Sequence, residues 1–182
     1  HPLAEAGKLG YVLFQLAPWV HFGRGTLDYL SSLPARLPGW TVALEFRHRS
    51  WFPDHAADTL HLLRRSRLAH VIVDGPVAAG AVPRVTTATA PTAVFRLHGR
   101  NAEGFLKQVR GEGPAVREKY DYLYTEAELR ELVPEVESMA EEAEQVFVSF
   151  NNNNRAYPVQ NALMLKRLLG QPADSLPPDL FA

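Results

Sequence analysis

The chain has 182 residues, of which 46% are hydrophobic and 21% charged, so it is long enough for a globular core and unlike a disordered, collagenous or coiled-coil chain. The 19 Lys and Arg residues nearly balance the 20 Asp and Glu residues, which argues against a generally basic nucleic-acid-binding protein. The sequence contains no cysteine, which excludes disulfides, thiolate metal ligands and a cysteine nucleophile. It has no apolar run of membrane-spanning length and no secretory signal pattern, and we therefore predict a cytoplasmic protein with no membrane partner.

Five short apolar runs are typical of buried parallel β-strands, because each is rich in Val, Ile, Leu or Phe and ends in polar residues. The predicted strands are Tyr11–Leu16, Thr41–Phe46, His70–Val73, Ala93–Leu97 and Gln145–Phe150. Helical periodicity between several of these runs favours an α/β fold.

Three helix starts are predicted from capping residues. Thr26 is expected to cap a short helix, and Asp54 is expected to cap a longer one that ends near Leu68. Thr125 and Glu128 have the spacing of a capping box, which predicts a helix directly after Thr125.

Two further features of the chain concern its later helices and its connections. Pro134 is expected to kink or split the helix that follows the capping box, and Gly170 to end a last helix over residues 156–169. Residues 75–92 show no helical period, and residues 99–124 form a 26-residue stretch ahead of the Thr125 cap, so both are predicted to be long irregular connections.

Polar side chains stand at the end of every predicted strand. Ligands of parallel β/α proteins bind at the carboxyl ends of the strands, so these residues define a candidate site. They are Gln15, Glu45, Arg47, His48, Asp74, Arg96, His98, Arg100, Asn101, Asn151 and Asn152. Residues two apart share a face of a strand, so Glu45, Arg47, Arg96 and His98 are expected to line one concave site.

The residue types of this set suit an anionic ligand. Arg47, Arg96 and Arg100 offer forked donors for phosphate or carboxylate. His98 and Glu45 are the candidate groups for moving a proton.

Each of these residues also has a purely structural alternative. Glu45 and Arg47 would form a buried ion pair, His98 would be a core histidine, and Arg100 would lie on the surface. Asp74 would cap a turn, and the two asparagines after the last strand would be turn residues.

A metal site has few candidate ligands in this sequence. Only Glu45, Asp74, His48 and His98 stand at strand ends, and a multinuclear centre needs several converging carboxylates and histidines. We therefore assign no metal ligand, and no cofactor is identified.

The connection over residues 99–124 leaves its strand directly beside His98 and carries glycine and proline in its middle. We interpret it as a lid that closes over an anionic ligand. The alternative is a structural loop anchored by Tyr120, Tyr122 and Tyr124.

Several short motifs occur in an order that identifies a family resemblance. They are Leu9-Gly10 with Leu13-Phe14-Gln15-Leu16, Glu45-Phe46-Arg47-His48 with Ser50-Trp51-Phe52, Arg96-Leu97-His98-Gly99-Arg100-Asn101, Tyr120-Asp121-Tyr122-Leu123-Tyr124, and Phe150-Asn151-Asn152 with Asn161-Ala162. In these motifs the chain resembles the YecE-like family of uncharacterised TIM-barrel proteins, domain of unknown function seventy-two. The resemblance implies a TIM-type β/α barrel but supplies no reaction.

The resemblance also implies which residues matter, because they lie in the shared motifs. They are Glu45, Arg47, His48, Arg96, His98, Arg100, Asn101, Asp121, Asn151 and Asn152. Of these, Glu45 and His98 are assigned to catalysis and the remaining residues to substrate binding.

The chain departs from the family ahead of Leu9, where the family has further β/α units. We expect residues 1–182 to form a single domain, the C-terminal part of a barrel, with about five of its eight strands. A sheet with two unpaired edges invites pairing with another chain, so such pairing is a further expectation.

Three classes of function remain open at this stage, and whether the protein is an enzyme is among the open questions. The first is an enzyme acting on a phosphorylated or carboxylated small molecule. The second is a non-catalytic protein that binds the same kind of anion. The third is a metal-dependent phosphoesterase or nuclease of the endonuclease IV type, by analogy of fold, for which nucleic acid is the less favoured partner.

Overall fold

The five predicted strands form one sheet in a computed structural model that describes residues 2–76, 81–111, 119–153 and 155–173. The strands are β1 (Val12–Gln15), β2 (Val42–Glu45), β3 (Ala69–Asp74), β4 (Thr92–Leu97) and β5 (Gln145–Phe150). Each lies within one residue of its predicted bounds. The α/β prediction is confirmed.

The order of strands in the sheet is the order along the chain, from β1 to β5. β1 pairs in parallel with β2 from Val12 opposite Val42 to Gln15 opposite Glu45. All four residues of β2 are buried, whereas β1 and β5, at the two ends of the strand order, are mostly half-buried. The expected pairing of another chain with these end strands stays a prediction.

Six helices are present in the part of the chain that the structure describes. They are α1 (Pro2–Glu5), α2 (Arg24–Arg36), α3 (Ala56–Arg65), α4 (Ala102–Arg110), α5 (Glu126–Glu142) and α6 (Tyr157–Leu168). No helix among the described residues is long and apolar enough to cross a membrane.

Two of the predicted helix starts are wrong. Gly23 and His55 are the N-cap residues of α2 and α3, and neither makes a side-chain capping hydrogen bond. Thr26 lies inside the first turn of α2, and Asp54 lies in the turn before α3. Both helices begin without a side-chain cap, so the preference of Thr and Asp for capping positions does not locate their starts.

The other two helix ends follow the sequence. The Thr125 and Glu128 capping box is confirmed, because the Glu128 carboxylate accepts the Thr125 N–H at 2.8 Å and the Thr125 hydroxyl accepts the Glu128 N–H at 3.3 Å. Gly170, with φ of +67°, ends α6 as predicted. The predicted split at Pro134 is wrong, because α5 runs without a break from Glu126 to Glu142, and the alternative of a kink stays a prediction.

The connection over residues 99–124 is not the uninterrupted loop that was predicted, because it contains α4. The Asn101 side chain accepts the Gly104 N–H at 3.0 Å and so caps this helix. Gly104 lowers the helix propensity of the segment and hides its helical character in the sequence. Residues 112–118, the middle of the proposed lid, lie outside the described residues, so the lid stays a prediction.

The residues cluster into two compact units. The first comprises His1–Ile72, Gly80–Val94 and Met139–Phe147, and the second comprises Val73–Ala79, Phe95–Ser138 and Val148–Ala182. Leu30, Leu44, Trp51, Phe52 and Leu63 are fully buried in the first unit, and Phe95, Leu97, Tyr124 and Leu129 in the second. That residues 1–182 form one domain stays a prediction.

Candidate functional site

Three of the predicted site residues contact one another in the second unit. Arg96 donates a hydrogen bond from Nη2 to Oδ1 of Asn151 at 3.0 Å. The other end of the same amide, Nδ2 of Asn151, lies 3.2 Å from Nδ1 of His98. One carboxamide therefore bridges a guanidinium and an imidazole.

The backbone holds these side chains at the strand ends. The N–H of His98 donates to the carbonyl of Asp74 at 2.8 Å, and the N–H of Asn151 donates to the carbonyl of Leu97 at 2.7 Å. Both bonds continue the parallel pairing one residue beyond the strands, so the sheet itself sets where His98 and Asn151 stand.

The imidazole is shielded from bulk solvent. His98 is only 4% exposed, and the ring of Tyr120 lies 5.8 Å from its ring, centroid to centroid. The Lys119 ammonium stands 4.4 Å from the Tyr120 centroid, within the range of a cation–π contact. Tyr120 thus packs between a cation and the candidate site.

A second cluster surrounds Asp74 at the end of β3. Arg100 binds its carboxylate through two bonds, Nε to Oδ2 at 3.0 Å and Nη2 to Oδ1 at 3.1 Å. The Tyr124 hydroxyl donates to the same Oδ2 at 2.7 Å and accepts the N–H of Gly99 at 2.9 Å. The hydrogen bond to Asp74 raises the pKa of Arg100 above its usual range, and burial together with the Asp74 charge does the same for the pKa of Tyr124.

Further carboxylates of α5 also face Arg100. Its Nη1 lies 3.7 Å from Oε1 of Glu128 and 3.5 Å from Oε2 of Glu131. The Tyr122 hydroxyl donates to Glu128, and burial followed by this bond raises the pKa of Tyr122 to about 12. Burial opposes ionisation of Glu128, but the hydrogen bonds from Tyr122 and Thr125 outweigh it and lower the Glu128 pKa.

Arg100 was predicted to hold an anionic ligand. In this structure its guanidinium pairs with carboxylates of the chain itself, so the charge it would offer a ligand is largely balanced. Ligand binding by Arg100 stays a prediction.

Asn152 lies fully buried and holds backbone. Its Nδ2 donates to the Tyr122 carbonyl at 2.7 Å and to Oδ1 of Asn161 at 2.9 Å, and Asn161 in turn bonds both the N–H and the carbonyl of Tyr124. Among the described residues, Oδ1 of Asn152 has no hydrogen-bond partner. Asn152 therefore fixes the segment that carries the tyrosines, and its predicted contact with substrate is untested.

Asn101 and Asp121, the remaining predicted residues of this unit, meet each other. Beyond capping α4, the side chain of Asn101 lies 3.4 Å from the Asp121 carbonyl. The contact joins the two ends of the 99–124 connection, and the substrate-binding roles assigned to both residues stay predictions.

Sequence reasoning predicted the capping role of Glu128 but not its hydrogen bond with Tyr122, and it predicted no contact for Asn161. The tyrosines over residues 120–124 have two predicted roles, anchoring the connection or contacting a ligand, and the bonds of Tyr124 with Gly99 and Asp74 fit the anchor. The position of Asn161 in a family motif was the only signal for it, because its partners lie 37 residues away in the sequence.

The first unit holds the other predicted residues. Glu45 is fully buried, and Nη2 of Arg47 lies 2.5 Å from its Oε1 and 3.0 Å from Oε1 of Gln15. Nδ1 of His48 accepts the N–H of Ser50 at 3.1 Å. An ion pair between Glu45 and Arg47, the structural alternative for these residues, is present, with Glu45 buried and the Arg47 side chain 23% exposed. That these residues share one concave site with Arg96 and His98 stays a prediction, because the two pairs belong to different units.

In the described ranges, no three His, Asp or Glu side chains come together in a group that could hold a metal ion. Glu45 and His48 belong to the first unit, and Asp74 and His98 to the second. Asp74 instead pairs with Arg100.

Comparison with protein-family models tests the family resemblance that the sequence motifs indicate. Residues 1–180 match the family model described as "Protein of unknown function DUF72". The chain belongs to the DUF72 family. The predicted YecE-like resemblance is confirmed, since that name denotes the same family.

Relatives of known sequence and structure agree. The chain is 33% identical over 187 residues to UPF0759 protein YunF of Bacillus subtilis (strain 168), with 99% of this chain and 66% of that protein covered. It superposes on a DUF72 family protein of Enterococcus faecalis V583 with a TM-score of 0.87 at 30% identity, covering 100% of this chain and 66% of that one. For a DUF72 family protein of Thermotoga maritima MSB8 the TM-score is 0.81 at 35% identity, covering 93% and 61%.

The chain therefore spans slightly less than two thirds of the length of these relatives. DUF72 structures are TIM-barrel-like, and the five-stranded parallel sheet fits the predicted partial barrel.

Proposed function

We propose that this DUF72 chain forms part of an enzyme that acts on a phosphorylated or carboxylated small molecule at the carboxyl ends of its strands. The observation that carries the proposal is the bridge that Asn151 makes between Arg96 and His98. The side-chain amide of Asn151 contacts both the positively charged guanidinium of Arg96 and the imidazole of His98. All three residues lie at the end of the sheet where parallel β/α proteins bind their ligands.

In this proposal Arg96 holds the anionic group, because a guanidinium matches the geometry of phosphate and carboxylate oxygens. His98 contacts the ligand beside it. His98 and Glu45 are the two candidates for moving a proton, and Arg47 holds the Glu45 carboxylate through the short ion pair between them.

The remaining predicted residues have supporting roles in the proposal. Asn151 orients Arg96 and His98, and Asn152 holds the tyrosine segment. His48, Arg100, Asn101 and Asp121 are proposed to contact the ligand at the rim.

The test is ligand binding by the whole chain, followed by turnover. The melting temperature is measured with inorganic phosphate and with a panel of phosphorylated and carboxylated metabolites, and Kd is then determined for each compound that raises it. Arg96→Gln is expected to weaken binding at least tenfold, since a hydrogen bond to a charged group contributes roughly 1.5–3 kcal/mol.

Arg130→Gln is the matched control. Arg130 also carries a guanidinium, but it lies exposed on α5 in an ion pair with Glu126, so its removal is expected to leave the Kd unchanged. Equal weakening by both substitutions, or by neither, would contradict the proposed anion site. Binding without turnover of any compound would identify the protein as the non-catalytic binder instead.

A further inference from the structure

We infer that Asn151 is a positioning residue that holds His98 in one neutral tautomer, with its proton on Nε2. The inference starts from the donor-only chemistry of Arg96. A guanidinium carries N–H donors and no acceptor, so the atom of Asn151 that faces Nη2 of Arg96 at 3.0 Å must be the carbonyl oxygen. The orientation of the Asn151 amide is thereby fixed.

The amide nitrogen then decides the state of His98. With Oδ1 turned to Arg96, Nδ2 of Asn151 is the atom 3.2 Å from Nδ1 of His98. An NH2 group can only donate, so Nδ1 must offer its lone pair and cannot carry a proton. A proton on Nδ1 would set two donors against each other within hydrogen-bond distance, beside the positive charge of Arg96.

The surroundings keep this arrangement in place. The backbone N–H groups of His98 and Asn151 are both bound to neighbouring strands, and the imidazole is almost fully buried. If the His98 ring flips, it loses its bond with Nδ2 of Asn151. If the Asn151 amide flips, it loses its bonds with both His98 and Arg96.

The chemical consequence rests on the proposed function, whereas the tautomer itself does not. A neutral imidazole that carries its proton on Nε2 donates a hydrogen bond to an oxygen of the ligand. It does not give the proton away, because that would leave an imidazolate. The site therefore suits a ligand with a carbonyl, carboxylate or phosphoryl oxygen next to the group held by Arg96. His98 is therefore a hydrogen-bond donor to the ligand and does not transfer a proton, which leaves Glu45 as the candidate for that step.

The tautomer is measurable without any ligand. Long-range 1H–15N spectra of the uniformly 15N-labelled chain at neutral pH separate a protonated ring nitrogen from an unprotonated one, and His98→Gln identifies the signals of His98. We expect a pyridine-like Nδ1 and a pyrrole-like Nε2 for His98. His61, exposed on α3, is the reference, because its signals are expected to stay the same in the variants at positions 96 and 151.

Asn151→Asp reverses the polarity of the contact and keeps its shape. A carboxylate accepts from Nδ1–H, so the variant is expected to move the proton of His98 to Nδ1 or to produce the imidazolium. Arg96→Gln frees the amide to turn and is expected to give a mixture of tautomers, which provides a test even where Asn151→Asp fails to fold. A purely structural role for Asn151 would change stability without moving these signals.

Two results would overturn the inference: a wild-type His98 protonated on Nδ1, or an unchanged His98 spectrum in both variants. Failure of the proposed function would look different. In that case phosphate and the metabolite panel would not bind, while the tautomer would be as stated.

Discussion

Gly99 sits where the chain has no room for a side chain. Its φ of +89° lies in the region that glycine favours, and a Cβ on it would stand 2.7 Å from Cβ of Tyr122. Its N–H bonds the Tyr124 hydroxyl. Any larger residue at this position would push apart the β4 end and the tyrosine segment.

We expect Gly99→Ala to destabilise the protein by roughly 2–4 kcal/mol, the sum of backbone strain and overpacking. Gly39→Ala is the control, because Gly39 has a similar φ of +77° with open space around it, and only about 1 kcal/mol of backbone strain applies. Urea unfolding of both variants measures the difference. Equal losses would show that the contact with Tyr122 relaxes at no cost.

His70 is a buried base in an aromatic environment. It is 5% exposed, and its ring lies 5.1 Å from that of Phe52 and 6.2 Å from that of Phe46. Burial lowers its pKa to about 4, against a weaker opposing effect of a hydrogen bond with the Thr87 backbone.

This shift predicts acid sensitivity. Between pH 6.5 and about 4 the unfolded chain binds a proton at His70 that the folded chain does not. The free energy of unfolding is therefore unaffected by His70 above this window and falls as the pH is lowered through it, by on the order of 3 kcal/mol.

His70→Phe is expected to flatten this part of the pH profile of stability, measured by urea unfolding at several pH values. His61→Gln removes an exposed histidine of α3 and is the matched control for the loss of a histidine away from the buried site. If the His70→Phe profile runs parallel to that of the wild type, the acid sensitivity arises elsewhere.

At the scale of elements, Arg100 joins the end of β3 to α5 within the second unit. It makes the paired bond to Asp74, which is 4% exposed, and stands near Glu128 and Glu131. Without the guanidinium, a buried carboxylate and two further acidic groups would face one another.

We therefore expect Arg100→Met to cost about 3–5 kcal/mol, because it leaves the Asp74 carboxylate buried beside other negative charges. Arg130→Met breaks the exposed i,i+4 ion pair of Arg130 with Glu126 on α5. This substitution should lower the free energy of unfolding by less than 1 kcal/mol. Chemical unfolding compares the two. A small loss for Arg100→Met would mean that the remaining partners of Asp74, Tyr124 among them, satisfy its carboxylate.

The elements differ in how well the sequence predicts them. Strands such as Gln145–Phe150 were found to the residue, because a buried parallel strand is a continuous apolar run with polar ends. The starts of α2 and α3 were misplaced because neither uses a side-chain cap. Helix α4 was missed because Gly104 interrupts its helical pattern.

For the molecule as a whole, the sequence predicted which strand ends carry polar residues but not how these residues pair. Arg96, His98 and Asn151 were all candidates, since each stands at the end of a predicted strand, where parallel β/α proteins bind ligands. The bonds of Asp74 with Arg100 and Tyr124 join positions 26 and 50 residues apart, and no local pattern encodes such contacts. Arg100 was accordingly predicted as a ligand contact rather than as a partner of Asp74.

A ligand that binds only the folded chain must also stabilise it as a whole. If phosphate binds at Arg96, a concentration a hundredfold above its Kd is expected to raise the free energy of unfolding by about 2.7 kcal/mol. With its at least tenfold weaker binding, Arg96→Gln should reduce this gain to about 1.4 kcal/mol or less at the same phosphate concentration, and chloride at equal ionic strength should not reproduce the gain. The same gain in Arg96→Gln would place the bound phosphate elsewhere.

At the strand ends the backbone positions His98 and Asn151, whereas their side chains carry the chemistry. This separation affects which substitutions the fold tolerates. His98 and Asn151 take their places through main-chain bonds to neighbouring strands, which any residue other than proline can make. A combinatorial library at positions 96, 98 and 151 should therefore contain many folded members with altered chemistry. A library at Gly99, Asn152 and Asn161 should contain few, since the space and the amide groups at those positions hold the tyrosine segment itself.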